Sequence, residues 1–306
     1  MQLLLVEEPN NSDVVQQILL IAGIPPISVF GYVWFYFNKK IKKINSTVKK
    51  LKSWGQSAGV RCISTIEASQ RLNAENLIYP YLVGLFEGDG YFTVTKKGKY
   101  FQCELGIELE VKDVQLIYKI KQLLGVGVVG FRERKNTSMV YLRVRRKDHL
   151  INYILPILDK YPLFSNKQFD YLRLRNILLS NPVYYDDIPE YTRPIEPVNS
   201  IESIINAPYF SAWLVGFIEA EACFSTYKLI KQGDYSVASF EISQTNSEML
   251  ISAIRRYLCL TPQVHKDKTN SFRLKVTSVR CIDNVISFLK KAPVKLMGNK
   301  KLQFIL

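Results

Sequence analysis

The sequence predicts an α+β protein built from two copies of one αββαββα unit, on three observations. A short apolar run ending in carboxylates occurs twice, from Leu82 to Gly90 and from Leu214 to Ala222. Each copy has glycine at its third position (Gly84, Gly216) and an acid at its eighth (Asp89, Glu221), 132 positions apart. Each is followed by an aromatic strand start, Tyr91-Phe92 and Cys223-Phe224, and by segments of alternating polarity. A second pair of segments, Ser165-Asn166-Lys167-Gln168 and Gly298-Asn299-Lys300-Lys301, repeats at nearly the same interval and fixes the register.

Taken in order, the first unit opens near Tyr79 with a helix ending close to Gly90. Residues 91–97 and 100–111 alternate well enough for a hairpin around Gly98. Residues 113–124 carry a helical apolar stripe, with Asp113 as the expected N-cap and Gly125 after the end. Residues 128–134 and 139–145 form a second hairpin, and 147–158 and 166–179 read as helices. Residues 181–207, with four prolines, read as the linker between halves 77–180 and 208–306. The second half repeats the order: strands at 224–230 and 235–244, a helix at 247–258, strands at 264–268 and 271–277, and a helix at 279–290.

Ahead of the first unit, residues 14–38 have no charged side chain and Lys39, Lys40, Lys42 and Lys43 follow at once. The length suits a bilayer span with the lysines inside, although Pro25-Pro26 would kink it. Residues 1–44 are therefore expected to be an apolar leader, either encoded by an upstream host-gene exon or a membrane contact through 14–38. Residues 45–76, rich in lysine and then in Ser, Gly and Gln, read as a linker.

The chain has 306 residues and a net charge of +14, a balance that points to a polyanion and most simply to nucleic acid. Five scattered cysteines without a C-x-x-C and only two histidines argue against zinc ligation, a disulfide scaffold and histidine-metal nucleases.

The repeated run has a chemical logic. A helix with glycine on one face lets a second backbone approach closely. Two such helices would bring their C-terminal ends together, with one carboxylate from each. Those ends are already partly negative, so the acids repel each other and the dipoles. Divalent cations with a preference for oxygen relieve that repulsion and suit phosphodiester hydrolysis. Solvated acids at the ends of core helices are the alternative, and the repetition argues against it. In the strands, Arg143 and Arg145 alternate with aliphatic residues, as do Arg273 and Lys275. Arg132 with Arg134, and Lys266 with Lys268, share the spacing. Period two places such cations on one sheet face, where a β-ribbon can enter the major groove.

Both runs resemble the LAGLIDADG signature of homing endonucleases and intron maturases, here as two fused halves in one chain. The resemblance spans residues 77–306 and extends to the segments around Phe164–Arg173, Asn199–Asn206 and Ala292–Gln303, which are similar to endonuclease-maturases of fungal mitochondrial introns. It implies two sheets forming a DNA-binding saddle in a monomer with internal pseudo-two-fold symmetry. It implies Asp89 and Glu221 as central ligands of Mg²⁺ (or Mn²⁺), with backbone carbonyls near Gly88 and Ala220 as further ligands. Lys167 and Lys300 would lie by the scissile phosphates, and Gln244 matches a polar active-site position whose repeat partner is aligned as Glu110. Glu87 and Glu219 are expected to have structural roles at the helix ends. DNA contacts are expected from Arg132, Arg134, Arg143, Arg145, Lys228, Lys266, Lys268, Arg273 and Lys275.

The resemblance further implies a double-stranded DNA target, group I intron RNA as a second partner and a mitochondrial location. The main expectation is an intron-encoded endonuclease with maturase activity; the alternative is a splicing maturase that no longer cuts. Two departures bear on that choice. Ala222 stands where the family has glycine, and the second half stops at Leu306 where the first continues its helix from Tyr171 to Leu179.

Overall fold

The computed structural model describes residues 77–134, 137–195, 199–229 and 235–305. The apolar leader and the 45–76 linker lie outside the described residues, and with them the expected membrane contact. Helix α1 occupies 77–89. Strands β1 (Gly90–Lys97) and β2 (Tyr100–Glu110) form the expected hairpin, and Gly98 turns it at φ +61°, a conformation that a β-carbon disfavours. A 3₁₀ turn at Val111–Asp113 leads into α2 (Val114–Leu124), ended by Gly125 at φ +70° with its N–H on the Lys121 carbonyl. Strands β3 (Val128–Arg134) and β4 (Thr137–Val144) follow.

Helix α3 begins at Lys147–His149, widens to a π turn at Leu150–Ile154 and closes over Leu155–Lys160. Pro156 explains the widening, because it has no N–H to return to the carbonyl four residues earlier. Helix α4 (Lys167–Ser180) completes the half. The inter-half segment is more ordered than its prolines suggested. It contains helix α5 (Ile201–Ile205), capped by the Ser200 hydroxyl, and it is strapped to α4. Tyr191 and Arg193 both bond Asp170, and the Asn166 amide donates to the Pro194 carbonyl at 2.9 Å.

The second half repeats the plan with α6 (Phe210–Glu221), β5 (Cys223–Leu229), β6 (Tyr235–Thr245), α7 (Glu248–Tyr257), β7 (His265–Lys266), β8 (Ser271–Val276), α8 (Val279–Lys291) and a short α9 (Lys300–Ile305). The two antiparallel sheets have equivalent strand orders, β1-β2-β4-β3 and β5-β6-β8-β7. The fold is thus α+β and duplicated, as the repeat predicted.

The halves join at α1 and α6, and glycine sets their distance. A β-carbon on Gly84 would lie 2.0 Å from the Trp213 carbonyl oxygen, and one on Gly216 would lie 1.9 Å from that of Tyr81. Helix backbones touch at those two points, which no larger residue permits. Around them Tyr81, Leu82, Leu85, Trp213, Leu214 and Phe217 are wholly buried. One sequence expectation changes here. Asp113 stands at the N-cap position of α2 but makes no side-chain cap bond there. Its carboxylate accepts instead from the Asn299 N–H at 2.6 Å, linking the first half to the lysine-bearing loop of the second.

Candidate active site and nucleic-acid interface

Helices α1 and α6 end side by side. A β-carbon at Gly88 would meet that of Ala220 at 2.3 Å and the Glu221 carboxylate at 3.4 Å, so Glu221 reaches across the end of the opposite helix, next to Asp89. The two acids paired by the repeat are therefore brought to one place. Burial pushes Asp89 up to about 6, opposed by Lys167 and Lys300. Burial likewise pushes Glu221 up to about 7, with the Asp89 charge adding to the rise.

Lys167 and Lys300 also converge on these ends. The Lys167 ammonium donates to the carbonyls of Gly88 and Gly90, each at 2.7 Å, and Lys300 donates to the Ala222 carbonyl. Each lysine thus caps the C-terminus of its own half's motif helix, where a cation offsets the dipole. Desolvation lowers the pKa of Lys167, while Glu87, Glu221 and Asp89 oppose it. The Gly88 carbonyl, expected as a metal ligand, is already an acceptor for Lys167 and keeps only its second lone pair for an ion.

Glu87 and Glu219 explain how those lysines are placed. Glu87 is fully buried and accepts from the backbone N–H groups of Phe164 and Ser165, in the turn that leads through Asn166 to Lys167. Glu219 accepts from the backbone N–H groups of Met297 at 2.6 Å and Gly298 at 3.2 Å, in the turn that leads through Asn299 to Lys300. Each acid takes a further bond from the other half: Trp213 Nε1 donates to Glu87 at 2.9 Å, and the Tyr81 hydroxyl donates to Glu219 at 3.2 Å. The expected structural role of these acids is thus to position the loops that carry the lysines. The bonds that Asp113, Tyr81 and Trp213 make across the halves are not foreseen from the sequence; only the matched interval between Tyr81 and Trp213 could have signalled the last two.

Gln244 lies beside this centre, with its amide 3.4 Å from the Glu87 carbonyl. Its repeat partner needs correction. Leu105 pairs with Val144 and Phe240 with Val276, so the ladders equate Gln244 with Leu109 and not with Glu110. The error arose because β2 and β6 are offset by a few more residues than the motif helices. Glu110 instead pairs with Lys112 at 2.6 Å on the surface. Ala222 also reads differently in the fold. It sits at φ −80°, ψ 154°, ordinary extended backbone, whereas a β-carbon on Gly90 would come within 2.5 Å of the Phe86 carbonyl oxygen. The two positions differ locally, and the alanine is accommodated.

The strand ladders sort the expected DNA contacts. Arg132, Arg143, Arg273 and Lys275 lie on the sheet faces opposite the core, with Arg134 at the end of β3 and Arg145 just beyond β4. Three others do not join them. Lys266 pairs with Phe272 and stands over its ring, on the core-side face; His265, opposite Arg273, takes the outward position. Lys268 lies in the turn between β7 and β8, because β7 is shorter than the alternation suggested. Lys228 shares strand parity with Phe224, whose ring packs on Phe240. Also missed were the acids Glu104, Glu108 and Glu241, which face outward among the arginines; for the first two, the alternation of Glu104, Glu108 and Glu110 along β2 was the signal.

A duplicated motif that joins its halves through paired glycines and ends in paired acids has a counterpart among known families. The model for the LAGLIDADG endonuclease family matches residues 82–178 and again 214–306. This chain belongs to the LAGLIDADG endonuclease family. A probable intron-encoded endonuclease of Dictyostelium citrinum is 28% identical over 74% of this chain and 92% of its own length. A probable intron-encoded endonuclease of Schizosaccharomyces pombe is 29% identical over 62% of this chain, which spans 52% of that protein. Among solved structures, the homing endonuclease I-LtrWI bound to target DNA superposes with a TM-score of 0.62 at 24% identity, covering 76% of this chain and 88% of that one. The meganuclease I-SmaMI bound to DNA gives 0.61 at 23% identity, covering 74% and 88%. At that identity the likeness is one of fold.

Proposed function

We propose that this protein is an intron-encoded homing endonuclease that makes a double-strand cut in a long, specific DNA site. The observation that carries the reading is the meeting of Asp89 and Glu221 at the touching ends of α1 and α6, with Lys167 and Lys300 on either side. The donor set fits a hard divalent ion: two carboxylates that resist ionisation together, and a backbone carbonyl with a free lone pair. Asp89 and Glu221 would hold Mg²⁺ or Mn²⁺, with Gly88 and Ala220 offering carbonyls. When bound, such ions supply Lewis-acid activation of phosphate and water.

The protein's own groups do the rest. Lys167 and Lys300, held by Glu87 and Glu219 through the preceding backbone, place positive charge where a scissile phosphate on each strand gains charge. Gln244 offers a polar group on one side only, which makes the two strand sites unequal. The outward sheet faces bind the duplex through their arginines. Names among the relatives, such as a mitochondrial protein of Saccharomyces cerevisiae, support a mitochondrial location. Intron RNA as a second partner rests on an intron-encoded RNA maturase of the same yeast, 26% identical over 48% of this chain. Single-turnover cleavage of a selected duplex with and without divalent ion tests the main reading.

A further inference from the structure

Each of the six basic residues expected to meet DNA that the ladders leave on or beside the outward faces is tied to a carboxylate. Arg132 and Arg134 converge on Glu108, Arg143 and Arg145 on Glu104, and Arg273 and Lys275 on Glu241. Exposed cross-strand ion pairs contribute little to stability, and the Glu241 group is of that kind. Its side chain is 26% exposed and its partners lie at 3.3 and 3.7 Å. Glu108 and Glu104 are different, with side chains only 9% and 11% exposed. Arg132 engages Glu108 through both Nε, at 2.7 Å, and Nη2. Glu104 takes Arg145, and it takes the Tyr91 hydroxyl at 2.7 Å, which in turn accepts from Arg143 at 3.2 Å.

A carboxylate in that place does two things to an arginine beside DNA. It repels phosphate, and so lowers the sequence-independent part of binding. It also occupies one edge of the guanidinium, so that the remaining N–H groups present a fixed fork to the N7 and O6 atoms of a guanine. Neutralising two cations with one acid leaves charge for binding while limiting contact with any duplex at all.

We propose that Glu104 and Glu108 are specificity-determining residues. They hold the arginines of the first sheet as preset forks for guanine edges, so that the half-site under the first sheet is read more strictly than the other. The inference rests on the endonuclease reading above. Its test uses the full chain and a duplex pool randomised across the site. Wild type, Glu108→Gln, Glu104→Gln and Glu241→Gln are each taken through binding selection. Affinities for the wild-type-selected duplex and for random-sequence duplex are then compared over a salt series, beside thermal unfolding.

Glu108→Gln is expected to bind random-sequence duplex about threefold to tenfold more tightly, with a salt slope steeper by about one. Its preference for selected over random duplex should fall about tenfold, with base preference relaxed in one half of the site. Glu104→Gln should do the same at neighbouring positions and decides the matter if Glu108→Gln does not fold; Glu241→Gln should change less. An unchanged preference, relaxation equal in both halves, or a parallel fall of both affinities with lower thermal stability overturns the inference. A wild-type protein that binds duplex yet enriches no sequence overturns the endonuclease reading itself.

Discussion

Trp213 donates its indole N–H to the buried carboxylate of Glu87 across the boundary between the two halves, and Tyr81 returns the arrangement to Glu219. Each half thereby steadies the acid that positions the other half's lysine loop. Trp213→Phe and Tyr81→Phe each remove one such bond, at a cost of about 1–3 kcal/mol. Each variant should cut one strand more slowly than the other and accumulate nicked product, with opposite strand bias in the two variants. Single-turnover cleavage of a duplex labelled separately on each strand reads this out. Equal slowing of both strands would mean that the bonds only stabilise the fold.

The paired acids should be needed for cutting and not for holding DNA. Asp89→Asn or Glu221→Gln is expected to lower cleavage by at least about 100-fold while leaving duplex affinity within about threefold. Cleavage rates and binding isotherms on the same duplex provide the comparison. Cleavage surviving in the double variant would remove both residues from the chemistry.

The same acids tie stability to pH. Their folded pKa values, about 6 for Asp89 and about 7 for Glu221, lie above their ordinary values of 3.8 and 4.5. Groups raised in this way stabilise the fold below about pH 4 and lose that contribution as pH rises through 6 and 7. Metal-free protein should therefore lose on the order of 3 kcal/mol per acid between pH 4 and 8. Glu221→Gln should remove its share of the loss, and Mg²⁺ should reverse it most at the higher pH. Chemical denaturation in EDTA and in Mg²⁺ across that window decides; a curve independent of both pH and metal would contradict the placement of the acids.

At the helix contact, Gly84→Ala or Gly216→Ala would force a methyl to within about 2 Å of a carbonyl oxygen. Either change should separate the halves and lower the melting temperature by more than about 10 °C. Calorimetry on the purified variants tests this.

Ala222→Gly, by contrast, should not improve cutting. The alanine has ordinary extended dihedrals, so glycine relieves nothing and costs up to about 1 kcal/mol in chain entropy. A several-fold faster cleavage rate would show that the methyl displaces Glu221.

Much of this fold was legible because duplication marks itself. Period two in the strands, Gly98 and Gly125 at their turns, and the repeated acids and lysines all have local physical signatures. The register between β2 and β6 was not legible, since the offset between halves changes within the repeat, and Gln244 was matched to Glu110 in consequence. Lys266 was misplaced because alternation says which residues share a face but not where a two-residue strand begins. Glu104 and Glu108 read as ordinary polar alternation until the ladders set them beside arginines distant in sequence. The bonds of Asp113, Trp213 and Tyr81 across the halves depend on tertiary packing and have no local signature.

The central claim is that the meeting point of Asp89 and Glu221 is a divalent-metal site for cutting both strands of a specific duplex. Single-turnover cleavage of the selected duplex by the full chain, in Mg²⁺ and in EDTA, beside Glu221→Gln in Mg²⁺, measures it most directly. The account predicts a double-strand cut for wild type in Mg²⁺ alone, with binding retained in all three cases. Equal cutting in EDTA, or by Glu221→Gln, would contradict it.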